Sequence, residues 1–201
     1  MNRVLAAGIA AAAAALCAGQ ARAQVDVFGG GLAEACAKFA KAGDTSSNAE
    51  TVCTQAIDRE MLAPLDRAGT YVNRGIVKLR SQRYEAAMKD FDTAIRYQSG
   101  LAEAYVNRAA ARIGLHQYGL SLSDIDNALM LNVKEPEKAY YNRAVAHEYL
   151  DDYKAAWLDY RKAVEIAPYW DLPREQLVRF SIHHPIEALP VVDAPASAGK
   201  P

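Results

Sequence analysis

Hydrophobic and small residues recur in steps of three and four along three similar segments of the chain. The segments are 71–97 (YVNRGIVKLRSQRYEAAMKDFDTAIRY), 105–131 (YVNRAAARIGLHQYGLSLSDIDNALML) and 140–166 (YYNRAVAHEYLDDYKAAWLDYRKAVEI), offset by 34 and then 35 residues. Such steps place side chains on one face of an α-helix. Within the first segment, one face is marked by Tyr71, Gly75 and Leu79, and a second by Tyr84, Ala87, Phe91 and Ala94. The pattern therefore predicts two helices in each segment.

The two helices of each segment are predicted to pack as an antiparallel hairpin, because the polar turn at 81–83 is too short for any other arrangement. A single hairpin leaves one apolar face uncovered, so the hairpins must stack on one another. Three columns of small residues would let the helix backbones approach closely. They are Gly75/Ala109/Ala144, Ala87/Ser121/Ala156 and Ala94/Ala128/Ala163.

The repeat resembles the tetratricopeptide repeat in its period, its Asn-Arg-Gly/Ala start and its Ala-x-x-Asp middle. Matching units are 68–101, 102–136 and 137–170, and the Asn-Arg-Gly/Ala start is similar to that of exported bacterial members. Ser99 and Val133 stand where the family often has proline. The resemblance implies an all-α fold, a right-handed superhelical stack of antiparallel hairpins. We expect a C-terminal capping helix within 171–183 to cover the last repeat.

A fourth, degenerate hairpin is predicted in 24–66, after a short linker, with helices near 32–42 and 48–58. Aligning Ala56 with Ala94 places Cys36 and Cys53 on the two facing helices of this hairpin. Of the three cysteines, Cys17 lies within residues 1–23, a predicted signal peptide, so two remain in the exported chain. An even number of cysteines in an exported chain favours a disulfide, and we therefore predict a Cys36–Cys53 bond. The alternative is two buried thiols.

One basic and one acidic column lie 16 residues apart in the clear repeats: Arg74/Asp90, Arg108/Asp124 and Arg143/Asp159. We interpret them as ion pairs across or between hairpins. The alternative is that the arginine heads simply reach water.

Residues 1–23 have the features of a signal peptide, with a basic start, an Ala-rich apolar run and an Ala-x-Ala site before Gln24. Cleavage there predicts a periplasmic or secreted protein without stable membrane insertion; the alternative is an uncleaved anchor. Removal of residues 1–23 leaves 21 basic and 24 acidic side chains, a net charge of −3 that argues against nucleic-acid binding. The proline-rich tail, 184–201, is predicted to be disordered.

The first helices of a tetratricopeptide stack line its concave face, and positions there that stacking does not obviously use are candidates for partner binding. They are Val72, Asn73, Ile76, Arg80, Glu103, Val106, Asn107, Ala110, Lys138, Tyr141, Asn142, Val145, Glu148 and Tyr149. The three asparagines could hold an extended peptide backbone, or could bond to the neighbouring repeat. The family's clamp for a terminal carboxylate is matched only by Asn107 and Lys138, so binding of that kind is not expected.

We expect no enzymatic activity, cofactor or metal, because no catalytic arrangement or phosphate-binding loop is recognisable and adjacent histidines at 183–184 do not make a site. The predicted function is a protein-interaction scaffold of the cell envelope that binds a peptide or protein segment. The protein is expected to be a monomer or weakly self-associating. The alternatives are an accessory or small hydrolase with an unrecognised site, and a structural protein that self-associates through an end of the stack.

Overall fold

The computed structural model describes residues 31–183, and this part of the chain is entirely helical outside its turns. The helices are α1 Leu32–Ala42, α2 Ser47–Arg59, α3 Pro64–Arg80, α4 Tyr84–Tyr97, α5 Ala102–Gly114, α6 Tyr118–Met130, α7 Pro136–Tyr149, α8 Tyr153–Ile166 and α9 Asp171–His183. The predicted signal peptide, the first residues of the linker and the predicted tail lie outside the described residues.

Local signals explain where several helices begin. The Ser46 hydroxyl accepts a hydrogen bond from the Ala49 amide at the start of α2, and the Asp152 carboxylate accepts one from the Ala155 amide at the start of α8. Pro64 and Pro136 occupy the first position of α3 and α7, where proline needs no hydrogen-bond donor. Helix α3 therefore begins four residues before the start of the sequence repeat at residue 68.

Each hairpin turn contains one residue with a left-handed backbone. In hairpin 1 (α1–α2) this residue is Gly43, and in hairpins 2 to 4 (α3–α4, α5–α6 and α7–α8) it is Gln82, His116 and Asp151, all with φ near 60°. A left-handed residue shortly after a helix reverses the chain and lets the turn amides bond to the last helical carbonyls, as the Arg83 amide does to the Lys78 carbonyl. Gln82, His116 and Asp151 each stand two residues after the last helical residue, so the turns of hairpins 2 to 4 are alike.

The first helices form one layer and the second helices form another. Helices α1, α3, α5 and α7 contact each other in that order along the stack, whereas each second helix packs mainly on the first helices of its own hairpin and the next. This arrangement places the first helices on the inner side of the stack.

The small-residue columns are buried where helices meet. Gly75 of α3 lies against the ring of Phe91 in α4, and a Cβ atom at Gly75 would overlap that ring. The side chain at the centre of the second helix is large and fully buried in hairpins 2 to 4, being Phe91, Ile125 and Tyr160 in turn. Close packing of this kind tolerates little added volume.

The predicted ion pairs form in hairpins 2 to 4, where each Arg–Asp pair joins the first helix to the second as a charged rung. The alternative, in which the arginines only reach water, is wrong. Each arginine donates two hydrogen bonds to the aspartate of its own hairpin, at 2.7 and 2.9 Å for Arg74–Asp90, 2.6 and 2.9 Å for Arg108–Asp124, and 2.8 and 2.9 Å for Arg143–Asp159. Each guanidinium also lies over the tyrosine three residues before it, 5.2 to 5.4 Å from the ring centre.

The same arginines also reach back to the preceding hairpin. The third guanidinium nitrogen contacts Thr54 Oγ1 at 3.1 Å, Asp92 Oδ1 at 2.7 Å and Asp126 Oδ1 at 2.9 Å, respectively. Burial alone would lower the pKa of Arg108, but hydrogen bonds to Asp124 and Asp92 outweigh burial and raise it. Arg161 of α8 occupies the position that Asp92 and Asp126 occupy in the two preceding hairpins, and its guanidinium lies over the Trp157 ring.

The two ends of the stack are fastened differently. At the N-terminal end, the structure agrees with the predicted disulfide, since Cys36 of α1 is bonded to Cys53 of α2. At the C-terminal end, α9 packs on α8, with Phe180 fully buried near Tyr160. The Arg179 guanidinium contacts both oxygens of Glu148 at 2.7 Å. A helix from 171 therefore covers the last hairpin, at the position expected for a cap.

Candidate functional site

The fourteen residues predicted to bind a partner all lie on α3, α5 and α7, the first helices of the three clear repeats. These helices lie side by side in the inner layer, so the structure places the fourteen residues on three neighbouring helices. Eleven of them are buried, and Arg80, Ala110 and Tyr149 are half-buried. None is exposed, which the sequence pattern did not indicate.

Several apolar members of this face also belong to the cores between hairpins. Val72 and Ile76 share a buried cluster with Ala104 and Ala111 of the next first helix. Tyr141 is edge-on to Tyr160, with ring centres 5.4 Å apart, and lies 5.2 Å from the Trp170 ring. These side chains stabilise the stack whether or not they also meet a partner.

Three charged members have structural partners. The Arg80 guanidinium donates to the carbonyl of Ala40 at 2.5 Å, near the end of α1. Lys138 forms an ion pair with Glu135 in the preceding turn. Glu148 accepts hydrogen bonds from the Tyr160 hydroxyl at 3.0 Å and from the cap through Arg179. Glu148 therefore serves as the anchor of the capping helix.

The asparagines occupy equivalent positions next to the rung arginines, and all three are buried. The Asn107 side-chain amide donates to the Glu103 carbonyl at 2.8 Å, one turn earlier in α5. This contact lies within one helix, so it differs from the bond to a neighbouring repeat that the sequence allowed as an alternative.

Tyr149 is a half-buried aromatic side chain on this face. Its ring stacks on that of Tyr118 with ring centres 4.4 Å apart and planes 6° from parallel. The contact joins the end of α7 to the start of α6 in the preceding hairpin.

Sequence reasoning missed a second basic column, four residues after each rung arginine. Lys78 contacts Asp90 at 2.7 Å and Arg112 contacts Asp124 at 2.8 Å, so each aspartate lies between two cations. In the third repeat the position is His147, 4.0 Å from the Asp159 carboxylate. The spacing of four residues on one helix face was the available signal.

Of the charged residues of the site, Arg80, Lys138 and Glu148 are thus held in structural contacts. Within residues 31–183, no group of three His, Cys, Asp or Glu side chains is placed to hold a metal ion. None of the helices in that range is long and apolar enough to cross a bilayer.

A search of the curated proteins finds no significant match to this chain. The family model described as the tetratricopeptide repeat matches residues 68–100 and 137–169. The chain belongs to the tetratricopeptide-repeat family. Proteins of this family generally mediate protein–protein interaction and are generally non-enzymatic.

Solved structures of other tetratricopeptide-repeat proteins confirm the predicted fold class. The TPR domain of Arabidopsis OM64 is 26% identical with a TM-score of 0.56, covering 60% of this chain and 99% of that domain. The first TPR domain of human RPAP3 is 23% identical with a TM-score of 0.56, covering 60% and 93%. The MamA RS-1 ArsTM double mutant is 17% identical with a TM-score of 0.59, covering 76% and 85%. The last two similarities concern the fold alone.

Proposed function

We propose that this tetratricopeptide-repeat chain is a non-enzymatic scaffold, exported to the cell envelope, that binds a peptide or protein segment along the inner face. The observation that carries the proposal is the continuous layer of first helices, on which the half-buried Arg80, Ala110 and Tyr149 lie. The charged rungs and small residues fasten each hairpin to the next. The inner layer adds equally spaced asparagines, together with aromatic and aliphatic side chains.

A polypeptide segment suits this chemistry better than other ligands. Side-chain amides both donate and accept hydrogen bonds, as a peptide backbone does. The asparagines and the aliphatic side chains beside them are buried, so the half-buried Arg80, Ala110 and Tyr149 would make the first contacts with an extended segment or with one face of a helix. The net charge of −3 expected after signal cleavage gives no reason to favour nucleic acid.

The binding face can be tested by photo-crosslinking at Tyr149 in intact cells. Replacing Tyr149 with the photoreactive analogue benzoylphenylalanine keeps an aromatic ring at a half-buried inner position. The matched control is the same replacement at Tyr97, which also stacks on a tyrosine, Tyr71, with ring centres 5.8 Å apart. Tyr97 is the last residue of α4 in the outer layer.

We expect a protein adduct at 149 and none at 97, with the partner identified by mass spectrometry. Adducts at 97 alone, or at neither position in folded protein, would contradict binding on the inner face. Circular dichroism of both purified variants establishes that the stack is intact before the result is read.

The location is tested separately by N-terminal sequencing of protein from the envelope fraction. Cleavage before Gln24 is the expected result. A protein that retains Met1 and fractionates with the cytosol would refute export, and would leave the crosslinking result unaffected.

A further inference from the structure

Hairpin 1 differs from the other three hairpins in how its two helices are joined. Alignment of equivalent positions places Cys36 where the others have the rung arginine and Val52 where they have the rung aspartate. Cys53 stands where they have Phe91, Ile125 or Tyr160, the large buried residue of the second helix. The disulfide therefore replaces both the charged rung and the largest buried contact.

Four of the five other buried hydrophobic residues in hairpin 1 are alanines. The buried hydrophobic residues of the hairpin besides the cysteines are Ala33, Ala40, Ala49, Ala56 and Ile57. At the end of hairpin 1 opposite its turn, the Glu60 carboxylate accepts hydrogen bonds from the Leu32 and Ala33 amides at 2.6 and 3.0 Å. Alanine buries little apolar surface, so packing alone stabilises this hairpin less than the later ones.

Two of the contacts that hold hairpin 1 on the stack are made to its helix backbone. Arg80 donates to the Ala40 carbonyl near the end of α1, and Arg67 donates to the Ile57 carbonyl near the end of α2 at 2.8 Å. Both acceptors are backbone groups at helix ends, and their positions are lost when the helices unfold. Hairpins 2 to 4 retain their own rungs and cores in that event.

We propose that the Cys36–Cys53 bond is a redox latch that keeps α1 and α2 on the stack and releases them when it is reduced. Reduction by a dithiol breaks the S–S bond. The dithiol supplies two electrons and two protons, yielding two cysteine thiols, and itself becomes a disulfide. Release withdraws Ala40 and Ala49 from the cluster that they share with Ala68 and Val72 of α3. Re-oxidation by a disulfide-bearing oxidant closes the latch again.

Burial controls the rate of this step. Both cysteines are fully buried, so a thiolate can attack the bond only when hairpin 1 opens. The latch thus resists brief exposure to thiols and responds to sustained reducing conditions. This inference concerns the folding of hairpin 1 and does not depend on which partner the inner face binds.

Hydrogen exchange measured by mass spectrometry on the full chain tests the latch. The samples are the oxidised protein, the protein reduced with dithiothreitol, and the Cys36→Ser/Cys53→Ser variant with and without dithiothreitol. The loop closed by the bond spans 17 residues. Loss of that closure predicts that exchange in 32–59 rises on the order of a hundredfold in the reduced protein and in the variant. Exchange in 84–166 stays unchanged, and dithiothreitol has no further effect on the variant.

Two outcomes would overturn the proposal. If 32–59 remains as protected in the variant as in the oxidised protein, the bond is not needed to hold the hairpin. If protection falls equally across 32–59 and 84–166, hairpin 1 is not a separately released unit. Non-reducing peptide mapping of each sample establishes its disulfide state, so a failed reduction is not mistaken for a stable hairpin.

Discussion

Replacing Asp124 with asparagine tests the charged rungs most directly. The Asp124 side chain is 2% exposed, and its oxygens accept hydrogen bonds from Arg108 at 2.6 and 2.9 Å and contact Arg112 at 2.8 Å. Asparagine keeps the shape but removes the charge, leaving two poorly exposed guanidinium groups beside a neutral amide. Breaking a buried pair costs about 3–5 kcal/mol. Arg108 keeps its contact with Asp92, so we expect a loss near the lower end, about 3 kcal/mol.

The matched control is Asp126→Asn, two residues further along α6. The Asp126 side chain is 59% exposed and accepts from Arg143 at 2.9 Å, so its loss should cost about 0–1 kcal/mol. Urea unfolding followed by helical circular dichroism measures both variants. With a urea slope of about 1–3 kcal/mol/M, the Asp124→Asn midpoint should fall by roughly 1–3 M. If Asp124→Asn costs no more than Asp126→Asn, the rungs do not fasten the hairpins.

Two further predictions concern the helix interfaces. Gly75→Ala should destabilise the stack by about 1–3 kcal/mol, because the added Cβ would overlap the buried Phe91 ring. The control is Gly119→Ala, whose Cβ meets nothing within 4 Å and which should stabilise the stack by up to about 1 kcal/mol. Equal effects of the two substitutions on urea unfolding would contradict the packing argument. Burial, together with the carboxylate of Glu148, raises the pKa of Tyr160 well above its usual value, so stability that is present below about pH 10 should be lost as the pH rises further. Tyr160→Phe should show a shallower alkaline decline, and an unchanged decline would refute this assignment.

The sequence predicted the parts of the fold that repeat. The rungs could be found because Arg74 and Asp90 recur at a constant separation of 16 residues, and the cysteines because they fall on facing helices once the hairpins are aligned. A periodic pattern reports the contact that every repeat shares. The cap was predicted as a helix from its apolar residues, although its anchor was not.

Contacts made only once could not be read from the pattern. Glu148 was assigned to the partner face by its position on α7, yet it binds the cap through Arg179, 31 residues away. The burial of Val72 and Ile76 was missed for a related reason, since periodicity identifies one packed face of a helix, whereas these residues share a core with a neighbouring first helix. Such long-range contacts depend on the assembled stack.

The rung arginines contact two hairpins at once, so the junctions between successive repeats carry similar charges. Each arginine joins its own aspartate to an acceptor in the preceding hairpin, and Asp92 and Asp126 present the same carboxylate to the hairpin that follows. A hairpin removed or duplicated between α4 and α7 would leave the new junction with a complementary charge on each side. In α8 the position of Asp92 and Asp126 is occupied by Arg161. Arg161 would place a like charge beside the rung arginine of any hairpin added after it. An added repeat would therefore meet a complementary charge at an internal junction and a like charge after α8.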